Sequence, residues 1–183
     1  MSEPSAEGEG RRMAIRRLLP NDAARLRALA YRCYPPFYAY LWHPGGMEAY
    51  LEASFDERLL TGELADPNLV YEVLQQGDHD VAFVKWHRRA DTDALPNAAY
   101  LERVYVAPEV AGQRIGSLLI ERAMAAARED GRQWIWLRAM ADVDKVLARY
   151  RAAGFETFQR SAITAKGIRV EHAAMAVMRC ALT

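Results

Sequence analysis

The stretch that most limits this chain is Leu101-Glu102-Arg103-Val104-Tyr105-Val106-Ala107-Pro108, continued by Glu109 to Leu119 (EVAGQRIGSLL). An apolar, β-prone run ends at a proline, a short glycine-containing loop follows, and a helix opens. That order builds an anion pocket, because the first N–H groups of a helix are unpaired and its dipole is positive there. Gly112 and Gly116 allow close backbone approach, and Gln113, Arg114, Ile115 and Ser117 complete the loop; Arg114 and Ser117 add side-chain donors for phosphate oxygens. The loop is neither GxGxxG nor GxxxxGK(S/T), which disfavours dinucleotide and P-loop readings. Taken alone it would also serve as an ordinary helix start.

The rest of the chain sets this stretch in an α/β frame. Met1 to Gly10 is rich in glycine, serine and glutamate and reads as a disordered tail, with one domain over residues 11–183. Met13 to Leu18 predicts a strand, and Pro20-Asn21-Asp22 a helix start. Leu26, Leu29, Ala30 and Cys33 then follow at helical spacing up to the stop at Pro35-Pro36. A second helix is expected from Met47, with Tyr50, Leu51 and Phe55 on its apolar face. Leu69 to Leu74, Val81 to Trp86 and Ala98 to Val106 read as strands, the first two joined as a hairpin. Gly116 to Asp130 is a helix stopped by Gly131, and the apolar run Trp134 to Leu137 predicts a strand buried on both faces. A helix over Asp142 to Ala153 precedes a last hairpin, Phe155 to Ile163 with Arg169 to Met178, turned by Lys166-Gly167. The expected fold is α/β, a central mixed, mostly antiparallel sheet flanked by about four helices.

Charge and cysteine usage exclude several function classes. Lysine plus arginine equals aspartate plus glutamate, 24 of each, so no bulk charge attracts nucleic acid or a membrane surface. No segment approaches the roughly 20 apolar residues of a membrane span. Cys33 and Cys180 form no CxxC pattern and suit a reducing cytoplasm. The four histidines show no metal-ligand spacing, so no metal is expected. An apolar Val170 to Met178 fits a homodimer interface and equally a core hairpin.

Three further features bear on chemistry. Tyr150 sits on the apolar face of its helix between Arg149 and Arg151, as a core tyrosine or a proton donor. Glu102 interrupts an apolar strand, sharing a face with Val104 and Val106 unless a bulge intervenes; a solvent-facing strand position would explain it equally. Aromatics crowd Tyr31 to Trp42. Tyr31, Tyr34, Tyr38 and Trp42 suit either a packed-down loop or a wall that binds amines.

Together LERVYVAPEVAGQRIGSLL, WIWLRAM and YRAAGF resemble the coenzyme-A-binding strand-loop-helix, the following strand and the tyrosine helix of the GNAT N-acetyltransferase superfamily. The resemblance runs from about residue 13 to residue 179 and looks closest to the PaiA-like branch, associated with polyamine acetylation. It implies a GNAT-type fold, acetyl-coenzyme A as cosubstrate, and a small-molecule primary amine such as a polyamine as acceptor. A protein N-terminus or lysine is the alternative acceptor, and a non-catalytic acyl-coenzyme A-binding module the alternative role. By the same resemblance Gly112 to Ser117 hold the pyrophosphate, Val104, Tyr105 and Val106 lie along the pantetheine arm, Glu102 is the candidate base and Tyr150 the acid. The sequence departs from the family pattern at Ala111, Arg114 and Val143. The first opens the loop, the second replaces its middle glycine, and the third replaces an asparagine that contacts the cofactor.

Overall fold

Seven strands form one sheet in the order β1-β2-β3-β4-β5-β7-β6 in the computed structural model, which describes residues 12–182. The tail read over Met1 to Gly10 lies outside the described residues. The strands are β1 (Met13–Arg17), β2 (Leu69–Gln76), β3 (His79–His87), β4 (Ala98–Val106), β5 (Trp134–Met140), β6 (Glu156–Ala162) and β7 (Ala174–Ala181). Every neighbouring pair is antiparallel except β4 and β5, which run parallel. A parallel pair needs a crossover. Helix α5 (Ile115–Glu129) supplies it and buries Leu119, Ile120, Ala123 and Ala127 against the sheet.

The opposite face is covered by α1 (Ala23–Cys33), the single turn α2 (Pro35–Tyr38), α3 (Gly46–Ser54) and α4 (Glu57–Ala65). The sidedness shows in two adjacent residues of β4. Tyr105 meets Tyr34 and Phe55 of the N-terminal layer, whereas Val106 faces Gly116 of α5. Helix α6 (Asp144–Ala152) follows β5 and anchors through Leu147.

Several expectations need correction. The described residues hold five helices of nine residues or more, where about four are expected. The extra one, α4, starts where Asp56 accepts hydrogen bonds from the amides of Arg58 (3.0 Å) and Leu59 (3.1 Å), a capping arrangement that restarts the helix after Phe55. Pro35-Pro36 does end α1 at Cys33, but Pro35 also opens α2, because a first helical position needs no N–H. Lys166-Gly167 does turn the chain, Ile168 N donating to Ala165 O (3.2 Å), but the turn does not join the two strands directly. Its segment is drawn to the aromatic loop, where His43 N donates to Gly167 O (2.9 Å), Arg169 N donates to Leu41 O (2.8 Å) and Ile168 bridges Trp42. The last strand consequently begins at Ala174, and Val170 is 85% exposed in a 3-10 turn rather than part of an apolar hairpin. Nor is Trp134 to Leu137 buried on both faces. Ile135 and Leu137 point into the core, while Trp134 lies half-buried under Arg179 and Trp136 stacks on Tyr100 at 4.1 Å.

Candidate active site

The ladder between β4 and β5 ends early. It pairs Ala98 through Leu101 with Trp134 through Leu137, and stops there. Past that point β4 continues against β3 alone and β5 against β7 alone, so the sheet opens into a wedge. Backbone groups of an antiparallel strand alternate sides, so part of the remaining β4 edge faces this wedge without a strand partner. The wedge is the floor of a cleft of about 620 Å³, within the range of ligand pockets.

A β-bulge sits at the apex. Trp86 pairs with Leu101 and Lys85 with Arg103, leaving Glu102 as the extra residue. The bulge resets the alternation, so Glu102 does not share a face with Val104 and Val106 as regular alternation would have it; it falls beside Arg103, with Oε1 3.2 Å from Arg103 Nε. Its other oxygen, Oε2, lies 2.6 Å from His87 Nε2 and 2.8 Å from Nζ of the buried Lys85. Lys85 also binds Glu63 at 2.9 Å, and Glu63 accepts from the Tyr71 hydroxyl. Burial alone would raise the Glu102 carboxyl. The hydrogen bond from His87 and the charges of Arg103 and Lys85 outweigh it and hold the group at about 2. An ionised carboxylate only accepts, so the proton between them belongs to Nε2 of His87.

At the other end of the cleft lies the loop before α5. Gly112 and Arg114 both take positive φ, 85° and 61°. Arg114 stands where the resemblance implies a glycine, and the chain accepts the strain of a left-handed arginine to keep the same turn. Among the described residues, no carbonyl or side chain accepts from the amides of Gly112, Arg114, Ile115, Gly116 or Ser117. Arg149 of α6 closes on the same spot, its Nη1 3.3 Å from where a Cβ on Gly116 would stand. Open amides, a helix N-terminus and two arginines are the donor set that a pyrophosphate needs, so the site fits coenzyme A.

Tyr150 lines the cleft between these ends, its ring 5.9 Å from that of Phe155, and burial raises its phenol above the usual range. Val143 also lines the cleft and occupies the N-cap of α6 without a capping side chain. Asp142, next to it, pairs with His172 Nδ1 at 2.7 Å.

The aromatic wall forms from Tyr34, Tyr38, Trp42 and Tyr105, joined by Tyr50, which the sequence reading left on a helix face. Tyr34 stacks on Tyr38 at 4.6 Å and accepts from Trp42 Nε1 at 3.2 Å, and Trp42 stacks on Tyr50 at 5.0 Å. Val104, Val106, Ile115 and Ser117 share this cleft. Two expected residues do not. Tyr31 is turned to α3, donating to Glu52 at 3.0 Å beneath the Arg27 guanidinium, and Gln113 is exposed outside the lining. Sequence reasoning missed Lys85, His87, Arg103 and Arg138. A lone lysine within Val81 to Trp86 was the available signal for the buried ionic group.

Residues 24–155 match the family model described as acetyltransferase (GNAT) family. No curated protein matches the sequence. Among solved structures, the PaiA N-acetyltransferase from Thermoplasma acidophilum, crystallised with coenzyme A, superposes with a TM-score of 0.75 at 18% identity, covering 93% of this chain and 99% of that one. The ribosomal-protein-S18-alanine N-acetyltransferase from Escherichia coli gives 0.67 at 17% identity, covering 94% and 95%. At these identities the likeness to either is one of fold.

Proposed function

The chain belongs to the GNAT acetyltransferase family, and from that premise we propose that it moves the acetyl group of acetyl-coenzyme A to a small primary amine by direct attack in a ternary complex. One observation carries the reading: the unpaired amides before α5, the wedge between β4 and β5, and Tyr150 all open into one cleft. The bound thioester supplies an activated acyl carbon. Amides of Gly112 to Ser117 with Arg114 and Arg149 hold the phosphates, and Val104, Tyr105 and Val106 border the pantetheine arm. A free strand amide in the wedge stabilises the oxyanion as the amine attacks.

A free alkylamine with a pKa of about 10.4 must lose a proton first. Glu102, held at about 2, is too weak a base to take it directly. The role that fits is orientation. With Nε2–H of His87 fixed on Glu102 (2.6 Å), the Nδ1 lone pair is the acceptor that remains; His87 stands behind the lining residues Glu102 and Tyr100, so the proton reaches it through water. Tyr150, kept protonated by burial, returns a proton to the departing thiolate. The finer parts of the reading are a single catalytic domain, no metal and a cytoplasmic setting; Cys33 and Cys180, both free and buried, suit the last of these. None of the described helices is long and apolar enough to cross a membrane, and no group of three metal-ligating side chains occurs among the described residues.

The test is incubation with acetyl-coenzyme A and a panel of amino acids, polyamines, aminoglycosides and peptides, reading thiol release. Release with one class of small amine is expected. Tight coenzyme A binding with no transfer to any member would overturn the enzyme in favour of an acyl-coenzyme A-binding module.

A further inference from the structure

We infer that the acceptor carries a carboxylate, or a comparable anionic group, in addition to its amine, and that Arg138 receives it; this rests on the acetyl-transfer reading of the same cleft. The charged side chains lining the cleft are Glu102, Arg103, Arg114, Arg138 and Arg149, one acid against four arginines. Arg114 and Arg149 belong to the phosphate end, beside Gly116. The acceptor end therefore holds Glu102 with Arg103 and Arg138.

Glu102 is already compensated by its neighbours, so it offers an incoming cation little net charge. Oε2 serves Lys85 (2.8 Å) and His87 (2.6 Å), and Oε1 faces Arg103 (3.2 Å). Counted as a group, Glu63 and Glu102 balance Lys85 and Arg103, so the buried cluster is neutral and adds no negative field to the cleft. A polyamine would meet the uncompensated charge of Arg138 and no free carboxylate among the described lining residues. The aromatic wall offers little in exchange, since Tyr34 is stacked against Tyr38 and Trp42 against Tyr50.

Arg138 is built to receive an anion. It is the first residue of β5 past Leu137, where the ladder to β4 ends, so its backbone stands at the apex of the wedge while its guanidinium reaches across β7 to β6 and still lines the cleft. Its guanidinium is steadied from β6, with Nε donating to Ser161 Oγ (3.2 Å) and Nη2 to Ala162 O (2.8 Å). It has no carboxylate partner among the described residues, and a guanidinium has five N–H groups. The remaining donors form one planar edge suited to a carboxylate. An amine tethered to a carboxylate seated there is kept in the same cleft as the aromatic wall and the phosphate loop.

The experiment compares γ-aminobutyrate, lysine and phenylalanine, each beside its methyl ester, with spermidine, in the wild type and in Arg138→Gln and Arg138→Lys. The acids should exceed their esters in kcat/KM by about 10- to 100-fold, the range of a charge-assisted hydrogen bond. Arg138→Gln should bring acid down to ester while coenzyme A affinity holds, and Arg138→Lys should keep part of the preference. Preference for spermidine or the esters, or an equal loss on acid and ester in Arg138→Gln, overturns the assignment and leaves acetyl transfer standing. Calorimetry on the coenzyme A-loaded protein gives the second readout. Acids that bind more tightly than esters yet are not acetylated support the carboxylate site and sink the transfer reading, whereas no difference in binding overturns the site.

Discussion

Oε2 of Glu102 lies 2.6 Å from Nε2 of His87. The same oxygen takes Nζ of Lys85, so the carboxylate balances a charge that α4 and the sheet have sealed from water. Its folded pKa of about 2 lies below the ordinary glutamate value near 4.3. Folding is therefore stabilised by the ionised group above that ordinary value, and the gain disappears as pH falls toward 2. The shift corresponds to about 3 kcal/mol. Glu102→Gln should lower stability at neutral pH and flatten the stability profile between about pH 4.5 and 2. Urea midpoints across that window measure it; an unchanged slope would mean that the cluster is not held this way in solution.

The same contact gives His87 its role. His87→Gln removes the acceptor but leaves a donor for Glu102, so folding and coenzyme A binding should survive. At neutral pH kcat should fall about 100-fold, the ordinary worth of a general base. The deficit should shrink toward pH 10, where the amine deprotonates unaided. A constant deficit across the pH range would count against His87 as the base.

How much of this was readable beforehand follows from how local each signal is. The strand, loop and helix from Leu101 to Leu119 stand where the pattern puts them, because periodicity and the glycine positions are near-neighbour properties. The positive φ of Arg114 was not readable, since arginine gives no hint of a left-handed turn. Glu102 shows the limit more sharply. Alternation assigns it to the face of Val104, and one unpaired residue in a neighbour's register reverses that. Arg103 is its neighbour on β4, but Lys85 and His87 come from β3 and Arg138 from beyond α5; no spacing rule joins these three to it. Tyr31 failed for the opposite reason, because proximity in sequence to Tyr34 says nothing of Glu52, which captures its hydroxyl.

Tyr150→Phe keeps the ring against Phe155 and removes only the hydroxyl and its proton. The buried phenol stays neutral through the physiological range, so its loss should lower kcat by about 10- to 100-fold without changing coenzyme A affinity. Single-turnover release of thiol at saturating amine isolates the step. Undiminished release at every pH removes Tyr150 from the mechanism.

Gly116 of α5 is where the Arg149 side chain of α6 comes closest. An added methyl would stand 3.3 Å from Nη1 of Arg149, the free end of a flexible side chain, so the fold should yield at little cost. The guanidinium would swing off the phosphate position instead. Gly116→Ala should therefore leave Tm within a few degrees while weakening coenzyme A by roughly 10-fold, the worth of one charge-assisted contact. Calorimetric titration beside a melting curve separates the two effects, and a large fall in Tm with unchanged affinity would reverse the interpretation.

Gly46 meets Gly167 with no such freedom. A Cβ on Gly46 would stand 2.8 Å from the Gly167 carbonyl oxygen, and backbone faces backbone at this crossing. The crossing pins α3, which carries Tyr50, to the segment that His43 and Leu41 draw in from beyond β6. Gly46→Ala should cost about 1–3 kcal/mol of stability, as overpacking does, and should raise KM for the amine more than it alters coenzyme A binding. Gly45→Ala is the comparison. Its neighbourhood is empty within 4 Å, and only its φ of 79° resists the change, so about 1 kcal/mol is expected and the amine site should be spared. If the two variants lose stability equally and neither shifts KM, the aromatic wall is not positioned through this contact.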